Sequence, residues 1–276
     1  MSVYPGLKLS HFMVLLAMIF STLPVAGCGT LKNGRGWGQD AIYPVDLKTI
    51  PRAAYNAFFD LQTLVPAAGA LVFAVDDFDE RVSDWATKHN PIFGSEENAK
   101  RASDYLAVTL HAEATLTALA TPSGDDSKNW AYSKAKGITA ESVAWIATSG
   151  ATDLTKDATN RTRPNGSKNG SFPSDHSSLA FSGATLANRN LNSIPLPGKV
   201  RLPLQGGNIL LGTGVAWARV EARKHFPSDV LAGAALGYFL TAFIHDAFLG
   251  LPEDERFGFV IFPLEGGAMT KFYLAF

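Results

Sequence analysis

The chain has 276 residues, of which 46% are hydrophobic and 18% charged, and a formal net charge of −1. That suffices for one or two domains with a large core, but it is charge-poor for a freely soluble protein. The near-zero balance, without any Lys/Arg run, excludes recruitment of nucleic acid by a global field, and the single cysteine, Cys28, excludes an intrachain disulfide.

Lys8 and His11 precede a continuous apolar run from Phe12 to Phe20, followed by Pro24-Val25-Ala26-Gly27-Cys28. A short apolar core with small residues before a cut site predicts a secretory signal peptide. The ending Val25-Ala26-Gly27-Cys28 resembles a bacterial lipobox. That resemblance implies a lipoprotein signal peptide over 1–28, with acyl groups such as palmitate on Cys28. An ordinary signal peptide, or a short anchor helix with an incidental cysteine, is the alternative. Gly29 rather than Asp follows the cysteine, which by resemblance to Gram-negative lipoproteins implies the periplasmic side of the outer membrane. Residues 29–50, broken by Gly29, Gly34, Gly36, Gly38 and Pro44, predict a flexible tether.

From Pro51 the pattern is helical, and residues 51–250 form the expected main body. Ala53, Ala54, Ala57, Phe58 and Leu61 make an apolar stripe. Leu64 to Val75 is apolar but too short to span a bilayer, and is expected as a buried helix. Ser95-Glu96-Glu97 marks a helix start, with a helix to about Leu119. Pro122 to Asp126 reads as a loop, and a further helix runs from Trp130 or Thr139 through Asp157. Ser177 to Asn188 is helical. Leu191 to Leu204, with three prolines, is expected as a turn or loop, and Ile209 to Arg223 as a helix. Val230 to Ile244 is the most apolar stretch after the signal. It reads as a buried central helix, with entry into the bilayer as the alternative. Residues 251–276 are aromatic-rich around Glu265-Gly266-Gly267 and predict a small β-hairpin extension.

Three blocks carry the chemistry. Lys156 is followed after six residues by Arg163-Pro164, then comes Pro173-Ser174-Asp175-His176, then Arg219, five residues, His225, three residues and Asp229. Lys156 and Arg163 are spaced to share a helix face, and Pro164 biases Arg163 towards the helix end, where its guanidinium fork suits two phosphate oxygens. Pro173 to His176 looks like a helix N-terminus, an anion site by its free N–H groups, with Ser174 as a further donor or as the cap. Pro227 can start a helix, with His225 just before it and Asp229 in its first turn. From there the carboxylate could hold one imidazole nitrogen and leave the other as a nucleophile. Convergence of Arg219 and His225 requires a bend between them.

Together these blocks resemble the three-part signature of the type 2 phosphatidic acid phosphatase superfamily, which includes bacterial acid phosphatases and vanadium haloperoxidases. The signature reads K-x6-R-P, P-S-G-H and S-R-x5-H-x3-D. Asp175 stands where Gly is usual, and Ala218 where Ser usually precedes Arg219. The resemblance implies a mainly α-helical bundle of the acid phosphatase/haloperoxidase type and a metal-independent phosphoric monoester hydrolase acting on phosphate or pyrophosphate esters. A lipid substrate is favoured, with soluble phosphoesters also open. It implies a phosphohistidine on His225 oriented by Asp229, with His176 protonating the leaving group. Lys156, Arg163, Ser174, Asp175 and Arg219 would surround the phosphate. No cofactor is expected, although vanadate could occupy the site as a phosphate mimic, so a vanadium-dependent haloperoxidase is an alternative. A non-catalytic phosphate-binding lipoprotein is another. His89, His111 and His245 read as a turn, a polar-face and a helix-end residue, and no metal-ligand motif is present.

Overall fold

The computed structural model describes residues 27–41, 49–167 and 170–249, and the backbone of 257–264 and 267–274. The signal-peptide residues up to Ala26 therefore lie outside the described residues, as do Glu265 and Gly266 of the expected turn. Eight helices are present among the described residues: α1 Thr49–Phe59, α2 Leu61–Phe73, α3 Phe78–His89, α4 Glu96–Ala120, α5 Ser127–Thr159, α6 Asp175–Ser193, α7 Gly198–Glu221 and α8 Pro227–Leu249. Strands β1 Phe257–Leu264 and β2 Gly267–Leu274 pair antiparallel, with Leu264 opposite Gly267 and Phe257 opposite Leu274.

The helix starts follow local chemistry. The side chains of Ser95, Asp126 and Ser174 accept from the backbone N–H three residues on, which caps α4, α5 and α6. The cap at Asp126 begins α5 twelve residues before Thr139, so the whole run to Thr159 is one helix, about 50 Å long. Helix α8 is the axis of the bundle and packs against α1, α2, α5, α6 and α7. It is long and apolar enough to cross a membrane, but most of it is buried by its neighbours. Close packing of α8 on α6 depends on Gly237, where a Cβ would overlap the carbonyl oxygen of Ser178.

Three expectations are corrected. The stretch expected as a tether is packed over its described part. Trp37 is wholly buried with Ala118, Ala140 and Leu249, its backbone N–H donates to the Pro122 carbonyl at 2.7 Å, and Gly29 bridges Gly124. A large aromatic ring supplies the burial that the surrounding glycines lack. Helix α2 is not a buried helix: Thr63 and Ala70 face inward, whereas Val65, Leu71 and Val72 are more than 60% exposed. One face rests on α8, where Gly69 meets Leu231, and the other is uncovered. Finally, the loop expected over 191–204 is only Ile194 to Pro197. Pro203 lies inside α7, where it removes one intrahelical N–H bond without ending the helix.

Candidate active site

The site forms where the C-terminal ends of α5 and α7 meet the N-terminal ends of α6 and α8. Lys156 lies in the last turn of α5. The helix stops at Thr159 because Asn160 takes a left-handed conformation, φ 48° and ψ 31°. Arg163 is therefore in the following loop, not on the same helix face as Lys156. The two meet by chain reversal instead: Gly170 lies within reach of both, and its carbonyl accepts from Arg163 Nη2 at 3.2 Å. The loop is held against α8 by Ser174 N–H donating to the Asp229 carbonyl at 3.0 Å. Arg223, φ 52°, turns the chain after α7, and the N–H groups of Lys224 and His225 both point back to the Arg219 carbonyl. This is the bend that brings Arg219 and His225 together.

His225 is almost wholly buried. Its Nδ1 lies 2.7 Å from the Ser171 carbonyl, and 3.8 Å from Asp229 Oδ2. The expected direct hydrogen bond from the ring to Asp229 is thus replaced by one to a backbone carbonyl. A carbonyl can only accept, so Nδ1 carries the proton and the lone pair of the neutral ring is on Nε2. Burial holds the imidazole pKa well below its ordinary value, and Arg219, Arg163 and Lys156 push it the same way. Burial likewise lowers Lys156, with Arg163 and Arg219 adding to it, and brings Arg219 down to about 10. Lys156, Arg163 and Arg219 thus act on the same imidazole electrostatically, a concentration of positive charge suited to an anion.

His176, in the first turn of α6, is half-buried. Its Nε2 is 2.9 Å from Asp104 Oδ1 on α4. Burial lowers its pKa, Arg219 adds to this, and Asp104 opposes both. Asp175 faces the pocket and forms an ion pair with Lys156. An anion bound by Lys156 would have to displace that carboxylate. Ser174 is buried and caps α6, its Oγ accepting from Ser177 N–H, so its hydroxyl proton is still available to donate. Ala218 is fully buried.

The Asp229 carboxylate lies away from solvent and is triply bonded. Its Oδ1 accepts from Arg161 Nη1 at 2.7 Å, and its Oδ2 from Ser171 Oγ at 2.6 Å and Phe226 N–H at 2.8 Å. Burial raises its pKa, against these three donors. Asp104, Arg161, Ser171 and Asp79 are site residues that the three sequence blocks do not mark. Asp79 and Asp104 lie on α3 and α4, far upstream, and Arg161 lies inside the first block at a position its spacing does not mark. A recess of about 520 Å³ opens beside this network, lined by residues that include Phe73, Asp79, Arg161, Phe172 and Ser228, but not by either histidine of the pocket. His111, outside the pocket, packs its ring on Trp145 at 4.3 Å. His89 ends α3, and His245 is buried in α8 beside Asp246.

Residues 139–251 match the PAP2 superfamily. The PAP2 match contains Lys156, Arg163, Ser174, Asp175, His176, Arg219, His225 and Asp229, and leaves Asp79 and Asp104 outside. The fold resembles the crystal structure of a transmembrane PAP2 type phosphatidylglycerolphosphate phosphatase from Bacillus subtilis, at 21% sequence identity and a TM-score of 0.50. The alignment covers 74% of this chain and 98% of that one. Among curated proteins none matches the sequence.

Proposed function

We propose that the chain is a metal-independent PAP2-type phosphatase that hydrolyses a phosphate or pyrophosphate ester, of a lipid in the favoured reading, through a phosphohistidine on His225. The observation that carries this reading is the buried imidazole of His225, with Nδ1 held by the Ser171 carbonyl and its pKa pushed down by burial, Arg219, Arg163 and Lys156. Nε2 attacks phosphorus, and the P–O bond to the leaving group breaks as His176 gives that oxygen a proton. Lys156, Arg163 and Arg219, with the N-terminal N–H groups of α6, take up the charge on the equatorial oxygens. Water then attacks phosphorus and loses a proton to His176. The P–N bond breaks, inorganic phosphate leaves and His225 is restored.

A lipid substrate is supported by the resemblance to a lipid phosphatase and by the apolar side chains left exposed on α2. Cys28 is exposed and lies directly against the body. Acylation there would hold the pocket close to a bilayer, on the periplasmic side of the outer membrane in this reading.

The test is to purify the full chain in detergent and assay it with EDTA on p-nitrophenyl phosphate, phosphatidic acid and a prenyl pyrophosphate. Turnover of at least one is expected, with His225→Ala abolishing it. No turnover on any of the three would sink the proposal, and turnover that EDTA removes would sink its metal independence.

A further inference from the structure

We propose that Arg161 and Asp79 are positioning residues of the reaction, a salt-bridged pair that fixes Asp229 and, through Ser171, the ring of His225. The chemistry rests on the phosphatase reading, but the geometry stands by itself. Asp229 does not bond His225 directly. Its Oδ2 holds the hydroxyl of Ser171, and the carbonyl of the same Ser171 holds His225 Nδ1. The position of the imidazole thus depends on where Asp229 places Ser171.

Asp229 in turn depends on Arg161. A carboxylate buried without a cation is costly and would take up a proton. Arg161 supplies the cation. Nη1 bonds Asp229 Oδ1 at 2.7 Å and Ser228 Oγ at 2.8 Å, while Nη2 bonds Asp79 Oδ2 at 2.8 Å. The guanidinium also lies 4.3 Å from the Phe226 ring centroid. Asp79, itself buried, accepts from the Ser228 N–H at 2.8 Å and from the Ser228 hydroxyl. It therefore satisfies a free N–H in the first turn of α8 from a different helix, and ties α3, Arg161 and the start of α8 together. As Nε2 takes the phosphoryl group the ring becomes cationic, and an anionic Asp229 held 3.8 Å from Nδ1 stabilises that state. Without Arg161 that carboxylate is no longer secured as an anion.

The experiment uses the full chain in detergent and the variants Arg161→Met, Arg161→Lys and Asp79→Asn. Four quantities are measured: kcat and KM on p-nitrophenyl phosphate, inhibition by inorganic phosphate, thermal unfolding, and the ¹⁵N spectrum of the His225 ring. Arg161→Met is expected to lower kcat about 10- to 100-fold with KM and phosphate inhibition unchanged, as for loss of an outer partner that orients a reacting group. Arg161→Lys, which keeps the charge but not the fork, should recover part of the loss, and Asp79→Asn should show a smaller loss of the same kind. The ring spectrum should show Nδ1 protonated in the wild type and a changed tautomer balance in Arg161→Met. A raised KM at unchanged kcat would make Arg161 a substrate ligand and overturn the proposal. So would a kcat loss that only follows the folded fraction, with the ring spectrum unaltered. If the wild type hydrolyses no phosphoester, the functional reading falls, and the ring spectrum alone decides whether Arg161 positions His225.

Discussion

Two carboxylates already occupy cations or acids of the pocket. Asp175 pairs with Lys156, and Asp104 with His176. A glycine at position 175 would leave Lys156 without that pair, so in the proposed reaction the Asp in this chain competes with phosphate for Lys156. Asp104 has the opposite consequence: its charge favours protonated His176 against burial and Arg219. In the proposed reaction the nucleophile, His225, must be neutral and the acid, His176, protonated. His225, held well below its ordinary pKa of 6.5, is neutral down to low pH, while His176 is protonated only below its own lowered value. The kcat/KM profile is therefore expected to be a bell whose basic limb lies below pH 6.5. Asp104→Asn should move that limb to lower pH without moving the acidic one. A limb that stays in place would remove Asp104 from the acid's control. Asp104 was not legible as a site residue, since an Asp on an amphipathic helix reads as part of a solvated face until the fold brings α4 over α6.

Helix ends, more than helix interiors, determine where the reacting groups stand. Ser174 starts α6, Asn160 stops α5, Arg223 turns the chain after α7, and Asp229 reaches back to Phe226 N–H at the start of α8. These local signals were largely readable in the sequence: Pro-Ser-Asp-His marks a helix start, and Pro227 another. The spacing of Lys156 and Arg163 misled, because seven residues suit a helix face only if the helix continues. The contact of α6 with α8 then brings His176 and His225 to the same end of the bundle. Gly237 allows that contact, in the first turn of α6 at Ser178. Gly237→Ala is expected to cost about 1–3 kcal/mol by overpacking and to lower kcat by separating the two histidines. Denaturant unfolding and turnover measured together check this. A stable variant with full activity would show that the helices can part without consequence.

Across the whole molecule, acid stability follows from the buried histidines. Burial lowers His111, His176, His225 and His245 below 6.5. The folded chain then binds fewer protons than the unfolded chain in the window between each lowered value and 6.5. The contribution of these groups is present above 6.5 and is lost as pH falls through that window. Glu141, buried and pushed up to about 8, acts in the opposite sense, because the folded chain holds its proton between about 4.5 and 8. The informative quantity is therefore a difference. As pH falls below 6.5, the Tm of the wild type should drop more than that of His225→Gln. Parallel curves would mean that His225 titrates normally in the folded state. At the same scale, residues 27–41 belong to the body through Trp37. Glycine-rich composition suggested a tether, since composition does not reveal that one tryptophan has a slot, closed on one side by Gly137 where any Cβ would strike the ring.

The helical class of the fold and the three motif blocks, whose eight residues lie within the PAP2 match, were legible along the chain, because both depend on local order. Helical periodicity, capping residues and motif spacing are properties of neighbours along the chain. Tertiary structure alone decided the partners: Asp104 for His176, Ser171 for His225, and Arg161 with Asp79 for Asp229. Such pairs join segments far apart in the chain, and an Asp or Arg carries no local mark of the buried charge it will meet. The exposed apolar face of α2 belongs to the same class, since a short apolar run has the same pattern whether or not another helix covers it.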